Sequence, residues 1–100
     1  MKIVDAYELY LQYVIVERGL SAQTVECYKD DLNMFYSFIN KTQIEELDYR
    51  NIDDFIVYLS NQGKSNKTII RRASTVRSFF NFLQQENLIK KESIVIDMPN

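Results

Sequence analysis

An all-α fold, a compact four-helix bundle, follows from three features of this 100-residue sequence. Gly occurs twice and Pro once, too few for a turn-rich or all-β chain. Apolar residues recur at three- and four-residue spacings in four separate stretches. Ser, Asp and Gly residues punctuate those stretches where helix caps and stops belong. Helices of this length are marginal alone, so the four must pack on one another.

The first helix is predicted over roughly 5–18, with Ala6, Leu9, Tyr13 and Val16 as its apolar stripe and Gly19 as its stop. Ser21 caps the second, predicted over 22–40, with the stripe Tyr28, Leu32, Phe35 and Ile39 and with Val25 and Phe38 beside it. Asp48 caps the third, over 49–61, which carries Ile52, Phe55, Ile56 and Leu59 and stops at Gly63. Ser65 caps the fourth, over 66–86, whose stripe is Ile69, Ala73, Val76, Phe80 and Leu83. Phe82 falls on the polar side of that helix and reads either as an exposed aromatic marking an interface or, equally, as a residue that packs against the tail. The remaining residues from Asn87 include Ile94, Val95 and Ile96, which could extend or dock on the bundle. There is no internal repeat.

Composition narrows the chemistry. With 46% hydrophobic, 26% charged and 13% aromatic residues the chain is neither disordered nor low in complexity. No apolar run exceeds five residues, so a membrane span is not expected, and the start shows no basic-then-apolar leader. A cytoplasmic location is the expectation. Cys27 stands alone, which gives neither an internal disulfide nor a zinc site. His and Trp are absent. The missing histidines exclude Ser-His-Asp and Cys-His catalysis and most transition-metal sites. No spacing argues for carboxylate, Lys or Tyr chemistry instead. The expectation is therefore no catalytic residue, no metal and no cofactor.

Charge is distributed unevenly. Residues 1–63 hold 5 Lys/Arg against 11 Asp/Glu, a net of −6, whereas residues 64–100 hold 7 against 3, a net of +4. Between 64 and 85 there are five cations (Lys64, Lys67, Arg71, Arg72 and Arg77) and no anion. An isoelectric point near 5.1 hides this basic segment. Local field rather than net charge sets anion binding, so a polyanion partner fits, although a solvated helix face would look the same.

The fourth helix carries the informative constellation. At 100° per residue Lys67, Arg71, Ser74 and Ser78 fall within about 60° of one another, opposite the apolar stripe. Its start, Ser65-Asn66-Lys67-Thr68, offers free N–H groups, hydroxyls and the positive end of the helix dipole, a ready phosphate site. A basic, hydroxyl-bearing helix face fits a DNA major groove about 12 Å wide. Helix-packing spacers and partner salt bridges are the alternative reading of the same residues.

Residues 20–39, LSAQTVECYKDDLNMFYSFI, fit the pattern LSxxTxxxYxxDLxxFxxF, and residues 65–83 read SNKTIIRRASTVRSFFNFL. Together, with an acidic helix between them, they resemble the N-terminal core-binding domain of tyrosine recombinases of the phage integrase and Xer type. The resemblance covers nearly the whole chain. It implies a SAM-like orthogonal bundle that contacts double-stranded DNA through its second and fourth helices. It also implies a C-shaped clamp, closed by a C-terminal catalytic domain whose motif this chain does not contain. Residues 1–97 are then the DNA-binding domain and 98–100 the start of a linker. The implied chemistry of the parent is transesterification through a 3′-phosphotyrosine without metal or nucleotide, in a tetrameric synapse. Two departures stand out. Glu92-Ser93 replaces the usual Asn-Pro, and Arg72 occupies a position often apolar in Xer-type proteins, which points to a mobile-element integrase.

By that resemblance Lys67, Thr68 and Arg71 lie in the groove-facing stretch of helix 4, with Arg72 and Thr75 beside them. Ser21 and Thr24 open helix 2 where the family contacts phosphate, and Lys64, Ser65 and Asn66 are phosphate donors at the start of helix 4. Arg77 is expected to pair with Asp31 and brace helix 2 against helix 4. A stand-alone protein-interaction domain using the acidic 42–63 segment is the alternative function, and an enzyme in its own right is the third.

Overall fold

The computed structural model describes residues 1–89 of the chain. It contains α1 (Ile3–Val16), α2 (Ala22–Ile39), a 3₁₀ turn (Ile44–Glu46), α3 (Arg50–Asn61) and α4 (Asn66–Gln85). No strand occurs among the described residues, and only an isolated bridge joins Lys2 to Gln43. The expected tail contacts, the Glu92-Ser93 departure and the linker at 98–100 lie outside the described residues.

Each helix begins and ends for a local reason. Ser21 accepts the Thr24 N–H at 3.2 Å, and Ser65 accepts the Thr68 N–H at the same distance. Each cap satisfies a donor that the first turn leaves unpaired, worth about 1 kcal/mol. Asp48 works one residue further out than expected: its Oδ1 accepts the Arg50 N–H, while Asn51 Oδ1 accepts the Asp48 N–H, both at 2.8 Å. α3 closes on Gly63 at φ +77°, with Gly63 N–H to Ser60 O at 3.0 Å and Lys64 N–H to Leu59 O at 3.2 Å. That pair of bonds is a Schellman motif, and the left-handed residue it requires is most easily Gly. α4 closes the same way on Asn87 at φ 59°, with Leu88 N–H to Leu83 O at 2.8 Å.

α1 differs from its sequence expectation by two residues and by a rotation. It starts at Ile3, because Lys2 takes the extended N-cap conformation and the Ile3 N–H is bonded to Thr42 O at 2.8 Å. Its buried side chains are Ile3, Ala6, Tyr7, Tyr10, Leu11 and Val14, whereas Leu9 and Val16 of the expected stripe are exposed. The tyrosines decide the face. Tyr7 buries its ring and still satisfies its hydroxyl, which donates to Leu32 O at 2.8 Å.

The core centres on α4, which packs against all three other helices. Phe79 meets Tyr7 edge-on at 4.8 Å between ring centroids, and Phe80 meets Phe35 at 6.0 Å and Tyr49 at 5.1 Å. Phe82 is only 6% exposed and packs on Tyr13 at 5.0 Å and Tyr10 at 5.5 Å. The expected exposed interface aromatic is thus a core residue. The buried arc of α4 spans about half its circumference, because helices approach it from more than one side.

Candidate nucleic-acid interface

Two helix starts and one helix face make the site. Ser21 and Thr24 open α2, and Ser65 and Thr68 open α4, with the same geometry. In each pair the two hydroxyl oxygens lie 3.0–3.1 Å apart. Neither first turn contains an acidic residue, so the partial positive charge of each N-terminus is left for an outside anion. Lys67 sits in the first turn of α4, where its charge opposes the dipole. That placement costs a few tenths of a kcal/mol of helix stability, and no ion pair among the described residues offsets it.

Beyond the cap, Lys67, Ile70, Arg71, Ser74 and Arg77 are exposed on successive turns of α4. Lys64, Ser65 and Asn66 are exposed at its start, and Thr68 is partly so. Among the described residues Lys64, Lys67 and Arg77 form no ion pair. Ile70 is 65% exposed in the middle of this basic face. Its position three residues after Lys67 and off the apolar stripe is the sequence signal that marks it, and it is not among the residues expected from sequence.

Arg71 is held in place from below. Its Nη2 donates to Asp31 Oδ1 at 2.8 Å, and its side chain is 49% exposed while Asp31 is fully buried. Thr75 is buried and its hydroxyl donates to Asp31 Oδ2 at 2.8 Å, with the Arg71 carbonyl oxygen 3.2 Å away. A side chain occupied in this way presents nothing to a groove, so Thr75 braces the joint rather than lining the surface. Arg72 turns inward: its side chain is 15% exposed and its Nη1 lies 3.5 Å from Asp31 Oδ1.

Asp31 therefore pairs with Arg71 and Arg72, and not with Arg77. The reason is helical phase. Arg71 and Thr75 are one turn apart on the same side, whereas Arg77 lies about 160° around the helix from Thr75. Asp31 does join α2 to α4, as expected, but through Arg71. Ser21 stands ten residues before Asp31, roughly 15 Å along α2 from this joint, and Lys67 roughly 6 Å along α4 from Arg71.

Among the described residues no group of three or more His, Cys, Asp or Glu side chains could hold a metal, and no helix is long and apolar enough to cross a membrane. Cys27 is a partly buried free thiol on α2. Burial pushes the Tyr7 phenol well above its ordinary range and raises that of Tyr10, so both stay protonated at neutral pH.

The chain is 30% identical over 91 residues to the tyrosine recombinase XerC of Anoxybacillus flavithermus, covering 88% of this chain and 30% of that protein. It is 32% identical over 100 residues to the tyrosine recombinase XerD of Listeria monocytogenes, covering 95% and 34% respectively. The tyrosine recombinase XerD of Staphylococcus aureus is 32% identical over 96 residues, covering 92% and 32%. The chain thus spans about a third of the length of these relatives. No solved structure matches it at a significant level. Residues 7–87 match the family described as phage integrase, N-terminal SAM-like domain, and the chain, folded as four helices with no strand among its described residues, belongs to that family.

Proposed function

We propose that this chain is the DNA-binding module of a site-specific tyrosine recombinase. In this reading it meets double-stranded DNA through the start of α2 and the exposed face of α4. A C-terminal catalytic domain of the same protein performs cleavage and rejoining through a phosphotyrosine. Residues 1–97 form the module, 98–100 begin the linker, and the whole protein acts in the cytoplasm as an oligomer on DNA.

One observation carries the reading. The stretch 64–85 contains no acid, and its exposed cations Lys64, Lys67 and Arg77 have no counter-ion among the described residues. Together with two acid-free, hydroxyl-capped helix starts, this surface asks for phosphates. Lys and the caps would hold phosphate oxygens, and Arg71 would reach a phosphate or a guanine edge. The acidic 42–63 segment favours a protein partner less. Glu46 accepts the backbone N–H groups of Thr42 and Gln43, Glu45 pairs with the Met1 ammonium, and Asp48 caps α3.

The test is a titration of ¹⁵N-labelled chain with a duplex of roughly two helical turns, about 20 base pairs, at low and high salt. The expected shifts lie at Ser21–Thr24 and at Lys64–Arg77 and fade with salt. Shifts at Asp53–Ser60 alone, or none at low salt, would refute DNA binding.

A further inference from the structure

Asp31 faces more positive charge than it can neutralise. One buried carboxylate stands against two guanidinium groups, with Arg71 at 2.8 Å and Arg72 at 3.5 Å from the same oxygen. The two arginines are not equivalent. Arg71 is half exposed and makes a good hydrogen bond, whereas Arg72 is largely buried. The Nε and Nη1 atoms of Arg72 are buried without a hydrogen-bond partner. Burying such donors unpaired is unfavourable, so an arrangement in which they are satisfied lies close by. The shortest route is a small movement of Arg72 onto Asp31 Oδ1, which Arg71 now occupies.

We propose that Arg72 is the reserve counter-ion of Asp31, which takes over the carboxylate when Arg71 swings out to DNA. The inference rests on the DNA-binding reading above and adds a mechanism to it. Without a reserve, Arg71 could reach DNA only by leaving a buried charge unpaired, which is strongly unfavourable. With Arg72 in place, Asp31 keeps one guanidinium when Arg71 leaves, and closing the 3.5 Å gap gives the unpartnered Arg72 Nη1 an acceptor. Thr75 keeps its bond to Oδ2 throughout, so the carboxylate stays put while its partner changes. Arg72 is in this account a positioning residue that acts through Asp31, and it touches no phosphate.

The experiment combines side-chain NMR with binding variants. The arginine Nε–H signals of the 100-residue chain are recorded free and with the same duplex, assigned through Arg71→Lys and Arg72→Lys. On DNA addition the Arg72 Nε–H is expected to move and exchange more slowly with water, and the Arg71 signal to move with it. Affinity is then measured for variants shown by circular dichroism to be folded. Arg72→Gln is expected to weaken binding about tenfold, the size of losing one arginine contact, and Arg72→Lys to restore part of it. In an Asp31→Asn background no charge needs a reserve, so Arg72→Gln is expected to change affinity less than twofold there. An equal loss in both backgrounds would mean that Arg72 touches DNA itself, and would overturn the proposal. So would DNA binding that leaves the Arg72 signal unmoved. If Arg72→Gln does not fold, the Asp31→Asn/Arg72→Gln pair and the wild-type spectra decide the question. Absence of any DNA-induced shift would refute the DNA reading itself, a result distinct from DNA binding without the exchange.

Discussion

Replacing Asp31 by Asn removes one negative charge and leaves the shape of the side chain almost unchanged. In the native fold that carboxylate accepts two bonds of 2.8 Å, from Arg71 and from Thr75. Hydrogen bonds to a charged group contribute about 1.5–3 kcal/mol each. The Arg71 share belongs at the bottom of that range, because a half-exposed guanidinium regains water when released. The Thr75 bond survives in weakened form to the amide oxygen. Arg72 then loses its buried anion, while burial of the amide itself is easier than burial of a carboxylate. The balance is a loss of about 2 kcal/mol. Urea unfolding followed by circular dichroism reads it as a fall in midpoint of roughly 1–2 M at unchanged slope. Arg77→Ala serves as the control and should change stability by under about 0.5 kcal/mol. A loss below that size for Asp31→Asn, or coupling of Asp31 to Arg77 rather than Arg71 in double-mutant cycles, would refute the joint as described.

Lys67→Glu should raise the melting temperature by a few degrees, since an acid replaces a cation beside the α4 dipole for a gain of about 0.3–1 kcal/mol. The same variant should bind DNA several-fold more weakly, and loss of both stability and binding would contradict the assigned role. For the intact chain, contact of four cations with phosphates gives a slope of log K against log salt near ~−3.6, measured by titration at several salt concentrations. A flat line would exclude phosphate contact. Alkaline unfolding should begin close to pH 10.0, the ordinary phenol value. Burial raises the folded-state pKa of Tyr7 and Tyr10, so their contribution is complete below the unfolded value and is lost as pH rises above it. Circular dichroism across pH 8–12 tests this, and Tyr7→Phe should flatten the decline while losing the bond to Leu32.

What the sequence made legible was local. Caps at Ser21 and Ser65 and the stop at Gly63 depend on single residues whose chemistry is unambiguous, and each stands where it was expected, whereas α1 ends at Val16, two residues before the expected Arg18, with Gly19 in the left-handed turn beyond. The rotation of α1 was not legible, because tyrosine fits either a core or a surface and the tertiary contact of Tyr7 with Leu32 decided it. Phe82 was misplaced for a related reason: a helix approached from several sides buries a wider arc than one stripe describes. The candidate face at Lys67 and Arg71 was visible from helical phase alone. The same phase rule, applied to Asp31, would have chosen Arg71 over Arg77, but the pairing depends on how α2 lies across α4. Thr75 fell out of the surface for that reason too.

The N-terminal residues form a clasp. Ile3 and Met1 exchange backbone bonds of 2.8 and 2.9 Å with Thr42 and Ile44, so the loop after α2 is tied back to the start of α1. This clasp, the Asp31 joint and the Tyr7–Phe79 contact all link residues far apart in sequence, whereas α1–α2 and α3–α4 meet across short connections. Hairpins of neighbouring helices close quickly, and the Asp31 joint and the Tyr7–Phe79 contact can form only when the two halves dock. Interactions made after the folding barrier govern the escape rate rather than the approach rate. Weakening the Asp31 joint should then leave refolding speed nearly untouched and shorten the lifetime of the native state. The joint that aims Arg71 is also the latch that sets how long the assembled domain persists.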